Sequence, residues 1–413
     1  MGKATFLLLL SLVVAVNGFS QTISTDSLSK KVNSIEEGLS VLKKVKFSGY
    51  IQSQWQKAEE PGIHSVAGGD FGANMDNRFL IRRARLKMTY TSKPVTAVIQ
   101  IDALAQGPVI RDAYGAVELP GPLKNFTLQS GLFYRPFGYE LQYSSGVRET
   151  PERARVNQTL LPDERDLGAK LVYHLDKWKI EGGFFNGNAI SLENDSKKDF
   201  IGRISTTDHT YGKLSLGGGV SVYSGFVREG TNHVFDFEKD RFIMEDTSVN
   251  HIGKYAERKY AGADLQLSMP SSAGKTTIRA EVIYGQQPGS ATSSVSPKSA
   301  ALPDKDTYIR HCMGGSIYFI QNFGKSNWQG VFKYDFYDPN REVAGDKIGD
   351  TGTLLNEGDL KYTTYGIGLN YYYKTITFMA YYDIVKNETS SHLSGFNKDL
   401  KDNVLTLRVQ YKY

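Results

Sequence analysis

The segment from Val404 to Tyr413 alternates without interruption. Leu405, Leu407, Val409, Tyr411 and Tyr413 are apolar, and Thr406, Arg408, Gln410 and Lys412 between them are polar. A strand sends successive side chains to opposite faces, so one face here is wholly apolar and ends in aromatics while the other carries cations. A half-buried strand of a soluble sheet shares this period. The aromatic finish favours a strand whose outer face meets lipid, because transmembrane β-barrels carry an aromatic girdle at each interface. On that reading the rest of the chain must supply the other strands.

Composition agrees. The chain has 413 residues with 25 Tyr, 21 Phe, 41 Gly and 13 Pro, and a formal net charge of +5. Its mean hydropathy is negative. That excludes a helical membrane protein and suits many strands joined by turns. The mild, dispersed basicity points to no nucleic-acid partner. Residues 1–20 combine Lys3, an apolar run from Phe6 to Val16, and the small residues Gly18 and Ser20, the pattern of a secretory signal peptide. The run is shorter than the roughly 20 residues a spanning helix needs. Cys312 is the single cysteine, so no internal disulfide forms, and it reads as a packed strand residue.

Over residues 21–44, Leu28, Val32, Ile35, Leu39 and Leu42 recur at steps of four and three, giving an amphipathic, periplasmic helix and a candidate coiled coil. From Val45 the period becomes two. Strands are expected at 45–57, up to about Tyr90, from Val95, to Leu119, at 126–133, and on both sides of an Asp176-Lys177 turn. Later ones fall at 199–206, 213–224, 259–268, 275–285, 309–321, 328–337, 361–372 and 375–385, followed by the last. The sum is about sixteen, with short turns at one end and long loops at the other, the asymmetry of an outer-membrane barrel. Residues 45–413 are therefore read as an all-β, 16-stranded antiparallel transmembrane barrel.

Alternation places Lys46, Arg83, Arg85, Lys87, Lys170, Lys179, Arg203, Arg279, Lys333, Arg408 and Lys412 inward. Asp102, Asp112, Glu118, Glu181, Asp264, Glu281, Asp335 and Asp383 oppose them, an excess of about three cations. No Ser, His and carboxylate cluster stands out, and the seven His are scattered singly. No catalytic residue, metal site or cofactor is expected.

The stretch GLFYRPFGYE at Gly131 to Glu140, with RRARL at Arg82 to Leu86 and RDAYGAVELP at Arg111 to Pro120, resembles the phosphate-selective porin O and P family. Further matching pieces are Glu152-Arg153, RDLG at Arg165 to Gly168, NGN at Asn186 to Asn188, KDFIGR at Lys198 to Arg203 and KYDFYDP at Lys333 to Pro339. The resemblance implies a trimeric, sixteen-stranded porin whose third loop, residues 134–165 here, folds into the pore and brings Arg148, Arg153, Arg155 and Arg165 to a constriction. It implies basic rungs at Arg83, Arg85 and Lys87, joined along the lumen by Lys170, Arg203, Arg279, Lys333 and Arg408. It also implies an aromatic assembly signal at Tyr411 and Tyr413 read by the outer-membrane assembly machinery. The expected function is passive diffusion of small hydrophilic solutes across the bacterial outer membrane, with a modest preference for anions such as phosphate. The competing readings are an adhesin or structural barrel, whose loops contact a partner, and a barrel carrying a hydrolase site.

Overall fold

The computed structural model describes residues 43–104, 107–193, 195–297 and 304–413, together with 30 and 32–34. Residues 47–413 form one compact unit. The signal peptide read at 1–20 lies outside the described residues. So does the helix read at 21–44, apart from 30 and 32–34, which are helical, and 43–44. Among the described residues no helix is long and apolar enough to cross a membrane.

The strands are β1 (Val45–Ala58), β2 (Asn77–Ser92), β3 (Val95–Leu104), β4 (Gly107–Glu118), β5 (Phe126–Tyr134), β6 (Arg165–Leu175), β7 (Trp178–Phe185), β8 (Asp199–Tyr211) and β9 (Leu214–Arg228). They continue with β10 (Val234–Glu238), β11 (Arg241–Met244), β12 (Tyr255–Ser271), β13 (Gly274–Gly289), β14 (Thr307–Asn322), β15 (Trp328–Asp338), β16 (Tyr362–Tyr373), β17 (Ile376–Asn387) and β18 (Val404–Lys412). Of these eighteen, β10 and β11 form a hairpin within one long loop, and the other sixteen pair in chain order. Antiparallel pairing of β1 with β18, from Tyr50 opposite Lys412 to Ala58 opposite Val404, closes the barrel. Closure satisfies every strand edge internally, which a lipid environment demands.

The period of two is what positions the side chains. Along β15, Trp328 and Phe332 are exposed on the outer face while Gln329, Val331, Lys333, Asp335 and Tyr337 are buried within. Leu86, Ile99, Leu128, Leu171, Ile180, Ile367 and Leu407 continue the outer apolar surface around the barrel. Two residues separate β2 from β3, β6 from β7, β8 from β9, β12 from β13 and β16 from β17, whereas the opposite end carries the loops 59–76, 135–164, 186–198, 229–254, 290–306, 339–361 and 388–403.

Two features escape a strictly alternating reading. The hairpin β10–β11 packs Phe235, Phe237 and Phe242 against Tyr308, Ile348, Leu355 and Leu360, a second apolar cluster made by loops. Its strands are too short for the period to stand out. The register between β3 and β4 also shifts, with Gln100 opposite Asp112 but Ile101 opposite Ile110. Arg111 is the extra residue of a bulge, which lets it approach Asp102 at 3.6 Å while Asp112, its neighbour, is buried in the lumen.

Candidate pore constriction

The 135–164 loop leaves β5, enters the barrel, forms the short helix α1 (Arg155–Leu160) and returns to β6. Its first and last parts carry apolar side chains. Phe137, Leu141, Ala154, Val156, Leu160 and Leu161 pack with Phe133, Phe185, Ile201, Tyr223, Tyr260, Ile283, Cys312 and Tyr337 from the barrel wall. The lumen is therefore locally apolar where the loop covers it, and Cys312 is a buried, free thiol in that cluster.

Polar groups fix the orientation of this half. The Glu281 carboxylate accepts from the backbone N–H of Tyr139 at 2.7 Å and of Glu140 at 2.9 Å, and from Asn157 Nδ2 at 3.1 Å. The Glu140 carboxylate accepts from Ala154 N at 3.0 Å, Asn157 Nδ2 at 2.9 Å and the Tyr318 hydroxyl. Gly138 has a φ of +60°, and a Cβ there would come within 2.9 Å of Glu281, so the turn into the lumen needs glycine. Arg153 ties the loop to itself, donating to the carbonyls of Glu140 at 2.8 Å and Leu141 at 2.9 Å and pairing with Glu164.

The middle of the loop, residues 144–152, is held differently. Its contacts with β1, β2 and β18 are polar: Tyr50 Oη to Ser145 Oγ at 2.7 Å, Gln52 Nε2 to the Ser145 carbonyl at 2.9 Å, Gln410 Nε2 to the Gly146 carbonyl at 3.1 Å and Arg408 Nη1 to the Pro151 carbonyl at 2.9 Å. At its end stands Glu152. Its carboxylate accepts from Arg82 Nε at 2.8 Å, Arg83 Nη2 at 2.7 Å and Arg408 Nη2 at 3.1 Å. Burial alone would push this carboxyl up, but Arg82, Arg83, Arg408 and Arg148 hold it well below the usual carboxylate range. Arg148 is 6% exposed, and its Nε and Nη1 have no hydrogen-bond partner among the described residues.

Of the basic residues read from the sequence, Arg83, Arg408 and Arg148 meet here. The others lie apart, most of them with partners of their own. Arg85 pairs with Asp102 at 3.0 Å, Lys170 with Glu181 at 2.6 Å, Arg203 with Asp264, Arg279 with Glu149, and Lys333 with Asp335 at 2.9 Å and Asp383 at 3.4 Å. Arg165 pairs with Asp112 at 3.0 Å and lies 3.7 Å from the Tyr134 ring centre, and Arg155 lies 4.0 Å from that of Tyr362. Lys87 is half-buried and, with Lys412, Lys170 and Arg85, lines a cavity of about 540 Å³ beside Tyr50 and Gly146. Tyr411 is exposed on the outer face, and Tyr413 exchanges backbone hydrogen bonds with Gly49 while its hydroxyl donates to the Arg85 carbonyl at 3.1 Å.

Arg82 is the residue that alternation missed. It reads as outward beside Ala84 and Leu86, yet Arg82 and Arg83 are consecutive and both bond Glu152. Phe79 and Ile81 point outward before them and Leu86 after, so the alternation is interrupted at the Arg pair. A signal was present: an arginine facing lipid near the midplane costs roughly 2 to 4 kcal/mol, which is reason to expect an interruption at Arg82-Arg83.

Residues 63–233 match the family described as phosphate-selective porin O and P. No curated protein matches the sequence. Among solved structures the fold is similar to OprB of Pseudomonas putida (TM-score 0.60, 9% identity, 91% of this chain and 96% of that one covered). It is similar also to an anion-selective porin from Comamonas acidovorans (0.53, 11%, 89% and 99%). A third is the trimer form of OmpT, an outer membrane protein of Vibrio cholerae (0.52, 11%, 89% and 99%).

Proposed function

We propose that this chain, a member over residues 63–233 of the phosphate-selective porin O and P family and thus an outer-membrane porin, passes small hydrophilic solutes by diffusion with a modest preference for anions such as phosphate. The observation that carries the preference is the cluster of Arg82, Arg83, Arg148 and Arg408 around the single carboxylate of Glu152, beside a loop that narrows the lumen. Planar guanidiniums suit the oxygens of a carboxylate or phosphate, and cations held in a low-dielectric passage raise the local concentration of anions. The rungs Arg83, Arg85 and Lys87 and the further lumen cations Lys170, Arg203, Arg279 and Lys333 belong to the same proposal, as do the loop residues Arg153, Arg155 and Arg165.

In a planar bilayer under a KCl gradient, the protein should give discrete conductance steps and a reversal potential on the anion side. A reversal potential on the cation side would reject the anion preference, and the absence of steps would reject the channel.

The assembly we propose is a homotrimer, in line with the trimer form of the structurally similar OmpT. It should run as a larger, heat-modifiable species in SDS, and a monomer at every temperature would oppose it. Residues 1–20 direct export, and 21–44 form a periplasmic helix whose deletion should leave the barrel intact. Tyr411 and Tyr413 serve as the assembly signal, so removing Tyr413 should lower the yield of heat-modifiable protein.

A further inference from the structure

Glu152 sits in the segment of the loop that lacks apolar anchors. The side chains and carbonyls of 144–152 meet β1, β2 and β18 through hydrogen bonds, and Val147 at its centre is 51% exposed. The two Glu152 oxygens receive five N–H groups at 2.7–3.2 Å from three arginines. A fourth, Arg148, is buried beside them with two nitrogens unpartnered among the described residues. Glu140, a further carboxylate that acts on Arg148, is already bound by Ala154, Asn157 and Tyr318.

The cluster therefore holds more guanidinium donors than its own carboxylate can use, which is the condition of a site built for a larger oxyanion. The partly open pocket that Arg148 shares with Glu140, Arg279 and Tyr318 is small, about 20 Å³. The Glu152 carboxylate lies where an incoming oxyanion would meet Arg82, Arg83 and Arg408 together.

We propose that Glu152 is a tethered anion that occupies the channel's own anion site, and that an oxyanion enters by displacing it, releasing residues 144–152 from the β1, β2 and β18 wall. The inference rests on the porin reading above and adds its regulation. The latch opens only as far as the incoming anion binds the freed cluster better than Glu152 does, so a tetrahedral, doubly charged oxyanion opens it and chloride does so poorly.

Single channels in planar bilayers test this with chloride and inorganic phosphate compared at equal ionic strength. For the wild type, phosphate should raise the ratio of open to latched time by about tenfold. Glu152→Gln, which keeps the shape but not the charge, should be open in chloride alone and gain nothing from phosphate. A wild-type channel whose open time is the same in both electrolytes overturns the proposal. So does a Glu152→Gln channel that keeps the phosphate response. Should that variant give no heat-modifiable barrel, the wild-type comparison decides alone. The absence of any wild-type conductance would defeat the porin reading itself, whereas conductance without phosphate dependence defeats only the latch.

Discussion

Two halves of one loop lie in the same barrel and are held by different physics. Phe137, Leu141, Val156 and Leu160 are fixed in an apolar cluster with wall residues of β5, β7 to β9 and β12 to β15. Residues 144–152 meet the opposite wall through hydrogen bonds and the Glu152 ion pairs. Burying a large apolar side chain contributes about 1.5–3 kcal/mol, while a typical hydrogen bond contributes a net ~0.5–1.5 kcal/mol because water competes for both partners. A lumen supplies that water. The first half is a fixture of the barrel and the second is a part that can let go.

The largest test breaks the fixture. Phe137→Ala together with Leu160→Ala should cost the loop about 3–5 and 2–5 kcal/mol respectively. The barrel should stay heat-modifiable while protease cuts appear between 141 and 153 and open-channel noise rises. Unchanged protease resistance would mean that the polar contacts alone hold the loop.

Next in size is the charge of the β2 wall facing the latch. Replacing Arg83, Arg85 and Lys87 together by Glu should lower the anion-to-cation permeability ratio by about tenfold, read from the reversal potential in a salt gradient. An unchanged potential would place selectivity in the 134–165 loop instead. Within the latch, Ser145→Ala removes one partner of the Tyr50 hydroxyl, at 2.7 Å, and leaves Arg85 as the other. A loss of ~1 kcal/mol should raise the open-to-latched ratio about fivefold. The same change at Gln410, which gives a single 3.1 Å bond to the Gly146 carbonyl, should have a smaller effect of the same sign. Reversal of this order between core and latch substitutions would erase the distinction between the halves.

Most of the barrel was legible in the residues. Trp328 to Tyr337 spell out β15 by period alone, and the alternation of short turns with long loops gives the sixteen barrel strands. The same rule missed Arg82, where the facing of β2 changes between Ile81 and Arg83, and it did not show the β3–β4 bulge at Arg111, although Asp112 beyond it faces inward as the alternation reads. It was silent on the hairpin β10–β11, whose strands of five and four residues are too short for a period.

What the sequence determined by itself is the strand, the face that most side chains take and the closure of β18 on β1, since these follow from a local alternation and the need to satisfy every backbone group in lipid. What only the tertiary structure decided is which charge meets which. Arg408 and Glu152 stand 256 residues apart, and nothing in either neighbourhood names the other. Arg83 and Lys87 share one face of β2, yet the first is bound to Glu152 and the second opens onto the cavity of about 540 Å³. A period of two specifies the side of the wall, and the path of the 135–164 loop across the lumen specifies the partner.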